Sequence, residues 1–166
     1  MLISEPERVS VDTSKHLPNG FEKGQIFTPK FLAEWVAILL KEKLGPKWSG
    51  NILDPACGDG ELLEAALEQL PNATLFGTDI DSKASKAAQV RLGRTADIET
   101  GDMLLMASLA NCRNLSKVSA IIANPPWGAD FLHSADELKN LGYSLAHGQF
   151  DSWSIFVEMS LRIIEA

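Results

Sequence analysis

A glycine turn set directly behind a short apolar strand constrains this chain more than any other feature. Asn51-Ile-Leu53 reads as a strand and Asp54-Pro-Ala-Cys-Gly-Asp-Gly60 as a turn. Residues 61–70 then read as a helix that buries Leu62, Leu63, Ala66, Leu67 and Leu70 and is stopped by Pro71. The alternation continues with a strand over 73–79 and a helix over 82–92 capped by Asp81 or Ser82. A weaker strand over 96–99 comes before Gly101-Asp102, and an apolar strand covers 118–123. Strands that alternate with helices in this way predict an open, doubly wound, mostly parallel sheet with both faces covered.

With 166 residues, the chain has room for one compact domain. Its first 23 residues are polar, with Pro6, Pro18 and the turn pair Asn19-Gly20, and read as a flexible arm. Residues 24–166 are expected to form the core. Thr28 suits an N-cap and Pro29 the first helical position. Phe31, Trp35 and Leu39 fall on one stripe, with Leu32, Val36 and Leu40 beside it, which predicts a helix with one wide buried face ending before Gly45-Pro46.

Between 128 and 149 the apolar period fades. Ser134-Ala-Asp-Glu137 has the form of a capping box, so a short helix to about 141 is expected, ended by Gly142. A last helix over 151–165 offers Ile155, Phe156, Met159, Ile163 and Ile164 for burial. A parallel strand would normally follow such a helix, so the sheet is expected to be incomplete at its C-terminal strands.

Charge and cysteine content narrow the possible partners. Fifteen Lys and Arg against 22 Asp and Glu give a net charge of −7, so this surface would not gather nucleic acid by phosphate neutralisation. The two cysteines, Cys57 and Cys112, are too few for a disulfide scaffold, and a reducing cytoplasm is the expected compartment. The longest apolar run, 31–40, is too short to span a bilayer and contains Glu34, so no membrane association is expected. His16, His133 and His147 show no metal-ligand spacing, and no metal is expected.

The glycine turn carries the first candidate site, because ligands of open parallel sheets bind beyond the carboxyl ends of the strands. Gly58 and Gly60 allow a tight turn and close backbone approach. Gly58-Asp-Gly60 begins a dinucleotide-type G-x-G-x-x-G pattern, but its third position is Leu63. Asp54, Asp59 and Glu61 also crowd the place of a pyrophosphate, where like charges about 4 Å apart cost roughly 4 kcal/mol at an effective dielectric of 20. A cation gains where a phosphate loses. S-adenosylmethionine, with an ammonium and a sulfonium, suits this turn. Asp79, closing the second strand, is placed to accept the ribose hydroxyls, and Asp102, after the third, the exocyclic amine of adenine. Any one of these acids alone also reads as a helix cap or a solvated turn. Cys57 reads as a small packing residue.

The second candidate is Asn124-Pro125-Pro126-Trp127, directly after the apolar run 120–123. Two prolines remove two backbone donors and fix two φ angles. A stiff corner remains that offers the Asn124 side-chain oxygen and the Pro125 carbonyl to an amino group. Methyl transfer from a sulfonium is an in-line displacement, so holding donor and acceptor about 3 Å apart supplies much of the catalysis. Trp127 offers a face for stacking a planar base, worth ~1–3 kcal/mol. Asn-Pro alone reads as a surface turn, whereas Asn-Pro-Pro-aromatic at a buried strand's carboxyl end, downstream of the glycine turn, reverses that reading.

Together these segments resemble the N6-adenine DNA methyltransferases of restriction-modification systems, in the arrangement where cofactor motifs precede the catalytic one. Gly24-Gln-Ile-Phe-Thr-Pro29 resembles the family's first cofactor segment, Asp54 to Gly60 its glycine motif, and Gly77-Thr-Asp-Ile-Asp81 its ribose-binding acid. Asn124 to Trp127 resembles its catalytic tetrapeptide, and Phe150-Asp-Ser-Trp-Ser-Ile-Phe156 the helix opening that follows. The resemblance implies a Rossmann-like class I methyltransferase fold with S-adenosyl-L-methionine as cofactor. It implies that Phe27, Thr28, Pro29, Asp54, Ala56, Gly58, Gly60, Asp79, Ile80, Asp102 and Met103 contact that cofactor. Asn124, Pro125, Pro126 and Trp127 would form the catalytic corner.

Family members continue through further strands and a target-recognition region, and many carry a helical domain in front. The resemblance therefore implies a fragment or one part of a split enzyme, with little or no activity alone. DNA would be gripped through regions missing from this chain, with a specificity or restriction subunit as a further partner. Two other readings stand beside it: methylation of RNA bases or protein glutamine, and a methyltransferase-like binding module without catalysis.

Overall fold

The computed structural model describes residues 27–106, 118–127, 133–148 and 150–165. Helix α1 (Lys30–Leu44) leads into β1 (Asn51–Asp54), α2 (Glu61–Gln69), β2 (Thr74–Asp79), α3 (Ser82–Leu92) and β3 (Ala96–Thr100). Next come the single turn α4 (Met103–Met106), β4 (Val118–Ile121), α5 (Ala135–Asn140) and α6 (Ser152–Glu165). All strand pairings among the described residues are parallel, in the order β3-β2-β1-β4. The chain steps from β1 outward to β3, then returns to lay β4 on the other side of β1. Such a reversal opens a crevice at the carboxyl ends of β1 and β4, where sheets of this kind bind ligands.

Strand pleating divides the apolar side chains between two cores. Ile52, Leu75, Ile98 and Ala120 enter one with Ala33 and Ala37 of α1, Leu63 and Ala66 of α2, and Ala88 and Leu92 of α3. Leu53, Phe76 and Ile121 enter the other with Met103, Leu104, Leu138 and the α6 residues Ile155, Phe156, Met159 and Ile163. Helices thus cover both faces, as the alternating pattern predicts. Local signals are realised closely: the Asp81 side chain caps α3 by accepting from the Lys83 N–H at 2.8 Å, and Ser134 and Glu137 form the capping box of α5.

Three expectations require correction. The stripe assigned to the buried face of α1 lies outside: Phe31 is 73% and Trp35 58% exposed, and Leu32 and Leu39 are exposed as well. Ala33 and Ala37 face inward instead, with Val36 and Leu40 partly buried beside them. Helix α1 packs on α2, whose Ala65 and Ala66 are themselves small and buried. An almost uniformly apolar run permits more than one buried face, and the closest helix–helix approach selects the alanine face.

Thr28 is also not the cap of α1. Pro29 occupies that position without a side-chain bond, its carbonyl accepting from the N–H groups of Leu32 and Ala33 at 2.9 and 3.1 Å. Third, Ile164 is exposed, and α4 is an element that periodicity did not announce. Asp102 starts that turn by accepting from the Leu104 N–H at 2.9 Å. The expected arm over 1–23, the segment Gly24-Gln-Ile26, His16 and Cys112 lie outside the described residues. Among the described residues no helix is long and apolar enough to cross a membrane.

Candidate active site

Strands β1 and β2 each deliver an acid to the crevice. Asp54 ends β1, is 1% exposed and accepts from the Ala56 N–H at 3.1 Å. Burial pushes its pKa up to about 7; the Ala56 N–H opposes the rise and the charge of Asp79 adds to it. Asp79 ends β2 and holds the glycine turn in place. One carboxylate oxygen accepts from the Gly58 N–H at 2.8 Å and the other from the Asp81 N–H at 2.8 Å. Burial raises its pKa against those two donors. Each oxygen still has acceptor capacity for a further donor.

The turn is also tied to β2 by the Cys57 N–H to the Thr78 carbonyl at 2.9 Å. Two glycines make this fit possible. Gly58 has φ +55°, and a Cβ there would lie 3.3 Å from the Phe27 ring. At Gly77 a Cβ would come within 2.7 Å of Ile98 Cδ1 and 2.8 Å of Leu63 Cδ1. Ala56 is half-buried within the turn, and Gly60 is the N-cap of α2. Cys57 is buried, and burial together with the charges of Asp54 and Asp79 raises its thiol pKa, consistent with a packing residue rather than a nucleophile.

Part of the expected charge is directed elsewhere. Asp59 and Glu61 turn to Arg91 of α3, each at 2.8 Å from its guanidinium, as does Glu64. Arg91 Nε also donates to the Asp59 carbonyl at 2.9 Å. These acids stitch α2 to α3 and do not supply the acidity of the crevice, which comes from Asp54, Asp79 and Asp102. Among the described residues, no basic side chain pairs with Asp54 or Asp79. A buried acid pair without a cation suits a positively charged ligand, the chemistry of the ammonium and sulfonium of S-adenosylmethionine.

Strand β4 delivers the proline corner. The Ile122 N–H donates to the Leu53 carbonyl at 3.0 Å, carrying the β1–β4 ladder one residue past β4. Asn124 therefore emerges at the same sheet edge as Asp54. Its Nδ2 donates to Thr28 Oγ1 at 3.1 Å, and its Oδ1 accepts from Trp127 Nε1 at 3.0 Å. Pro125 is half-buried, and the Pro126 carbonyl accepts from the Ser152 hydroxyl at the start of α6. Trp127 is 53% exposed, its ring edge turned back on Asn124.

Phe27 and Thr28 link the two candidate segments. Adjacent in sequence, one lies against Gly58 and the other bonds Asn124. The two motifs therefore share one side of the molecule. Pro29 follows as the cap of α1, and Ile80 is exposed directly after Asp79. Met103, by contrast, commits its side chain to the second core. Asp102 has a partner that the sequence did not reveal: its Oδ2 lies 2.5 Å from His133 Nε2. No local spacing links these two residues; the box at Ser134 marked only a helix start.

The fold is that of a doubly wound α/β protein whose strand order reverses at β1–β4, the Rossmann-like architecture shared with class I methyltransferases. Residues 16–152 match the model of the N-6 DNA Methylase family, and the chain belongs to that family. It is 32% identical over 171 residues to a type II methyltransferase, M.BanIII, of Aneurinibacillus aneurinilyticus; the match covers 86% of this chain and 29% of that protein. It is 33% identical over 105 residues to ribosomal RNA small subunit methyltransferase C of Shewanella pealeana, covering 61% of this chain and 28% of that one. Among solved structures, a type I restriction-modification system methyltransferase subunit from Streptococcus thermophilus superposes with a TM-score of 0.69 at 14% identity. That match covers 85% of this chain and 32% of the subunit. The chain spans less than a third of the length of these curated relatives.

Proposed function

We propose that residues 24–166 form the cofactor-binding and catalytic core of an enzyme that methylates the N6 amine of adenine in DNA. The observation that carries this reading is the bridge made by Phe27 and Thr28, which sets the acidic glycine turn beside the amide of Asn124. S-adenosylmethionine, when bound, supplies an activated methyl group. Asp54 gives the cationic end of the site its negative counterpart, Asp79 accepts ribose hydroxyls, and Asp102 accepts the adenine amine. Phe27 covers the site at Gly58, beside Thr28, Pro29, Ala56, Gly60, Ile80 and the Met103 backbone.

On the substrate side, Asn124 Oδ1 and the Pro125 carbonyl accept the two N–H groups of the target amine. That aims the nitrogen lone pair at the methyl carbon. With the amine so held by Asn124 and Pro125, a bound sulfonium would supply the methyl group and depart as the neutral thioether, and the amine's proton would leave to solvent. The indole N–H of Trp127 on Asn124 Oδ1 supports this role for the oxygen as an acceptor. An incoming amine takes that place and Trp127 turns its face to the base. Because adenine N6 is out of reach inside a duplex, the base is flipped out, at a cost of a few kcal/mol that stacking on Trp127 partly offsets. With a net charge of −7 on this chain, the grip on phosphate belongs to other protein surface, on the same polypeptide or on a specificity or restriction subunit.

Two measurements test this. Calorimetric titration with S-adenosylmethionine should show binding that weakens at least tenfold in Asp79→Ala. Radiolabel transfer to DNA, supplied with the partner surface where the chain alone turns over slowly, should place label on adenine N6 and drop about a hundredfold or more in Asn124→Ala, with cofactor binding retained. The similarity to the ribosomal RNA enzyme makes RNA the natural second substrate arm. Label arriving on RNA in preference to DNA would overturn the substrate assignment, and absence of cofactor binding would overturn the site.

A further inference from the structure

We infer that His133 is a positioning residue for recognition of the cofactor's adenine, acting through Asp102; this rests on the reading of Asp102 given above. Asp102 stands at the carboxyl end of β3, and both of its oxygens are engaged. Oδ1 accepts from the Leu104 N–H at 2.9 Å, and Oδ2 lies 2.5 Å from His133 Nε2. With the carboxylate oxygen as acceptor, the imidazole Nε2–H is the donor of this contact. Two donors on different oxygens fix the plane of the carboxylate, and each oxygen keeps capacity for one more donor. A carboxylate locked in that plane accepts an amine but repels a carbonyl oxygen placed at the same point.

The backbone that carries the imidazole is anchored as well. His133 directly precedes Ser134, whose capping box fixes the entry into α5. Helix α5 is anchored by Leu138, fully buried in the second core. Just beyond it, the Tyr143 hydroxyl donates to the Leu104 carbonyl at 2.9 Å, two residues along from Asp102. The segment that follows α5 is thus tied to the turn after Asp102 by a second contact besides the imidazole. His133 and Asp102 are both mostly buried, so water competes weakly for the contact. Residue 133 also belongs to the connection that leaves the Asn124–Trp127 corner, so the chain that carries the substrate corner returns to brace the adenine end of the cofactor site.

The test compares S-adenosylhomocysteine with its inosine analogue, in which a carbonyl oxygen replaces the 6-amine. Both are titrated into the wild-type protein, His133→Ala and His133→Gln. The wild type should prefer the adenosine ligand by at least tenfold. His133→Ala should weaken that ligand about tenfold and leave the inosine ligand nearly unchanged, so that the preference collapses. His133→Gln, which keeps an N–H donor, should restore most of it. Equal weakening of both ligands in His133→Ala, with the preference intact, would reduce His133 to an anchor of α5 and overturn the inference alone. A wild type that binds both ligands equally overturns the assignment of Asp102. One that binds neither overturns the cofactor site itself, and the role of His133 with it.

Discussion

Replacing Asp54 by Asn should abolish a pH-dependent loss of stability that the wild type carries. In the folded protein Asp54 keeps its proton up to about pH 7, because burial disfavours the charged form, whereas its ordinary pKa is 3.8. Between those values the folded state binds more protons than the unfolded chain. Stability therefore falls as pH rises through this window. The contribution is complete below pH 4 and lost above about pH 7. A carboxyl whose pKa rises from 3.8 to about 7 holds its folded-state proton more tightly by about 4 kcal/mol. With Asp54 1% exposed, solvent screening takes little from that figure.

Asn retains an oxygen to accept from the Ala56 N–H and cannot ionise, so the variant isolates the titration. Urea unfolding of both proteins from pH 4 to 8.5 should show a stability difference near zero at the acid end. It should grow to about 4 kcal/mol in favour of Asp54→Asn by pH 8. A difference that stays flat across the range would refute the reasoning. The same linkage predicts that affinity for a cationic ligand rises with pH through 7 in the wild type and not in the variant.

Other perturbations test separate parts of the structure. Gly77→Ala should cost about 1–3 kcal/mol by overpacking, read as a lower urea midpoint, since its methyl group would press on Ile98 and Leu63. Thr28→Val removes the acceptor for Asn124 Nδ2 without changing side-chain volume much. Methyl transfer should fall about tenfold while the melting temperature holds within a few degrees, and unchanged turnover would show that the bond to Asn124 positions nothing. Arg91→Gln leaves Asp59, Glu61 and Glu64 facing one another. At this partly exposed site the loss should be about 1 kcal/mol and should shrink in high salt, as denaturation at two ionic strengths would reveal. Trp35→Gln should shift unfolding by less than about 0.5 kcal/mol, against about 2–5 kcal/mol for Leu63→Ala, because Trp35 is exposed where the apolar stripe of α1 predicts burial.

What could be read from the residue order alone is what depends on near neighbours in the chain. The run from Asn51 to Gly60 encodes a strand and a turn by composition, and Asp81 and the Ser134–Glu137 box mark helix starts because a cap is satisfied within three residues. Alternation of strand and helix then implies a parallel sheet, since a parallel pair needs a covering crossover. Asp54, Asp79 and Asn124 could be nominated because each closes an apolar strand, and strand ends in such sheets share an edge.

Tertiary structure alone decided which groups meet. The pairs Thr28–Asn124, Arg91–Asp59 and His133–Asp102 join residues far apart in sequence, and nothing in the local spacing of either partner encodes the other. Burial of the alanine face of α1 was settled in the same way, by contact with α2 rather than by periodicity. Periodicity records that a helix has apolar surface, while the choice of face and of charge partner follows from the closest packing available once the sheet has brought distant segments together.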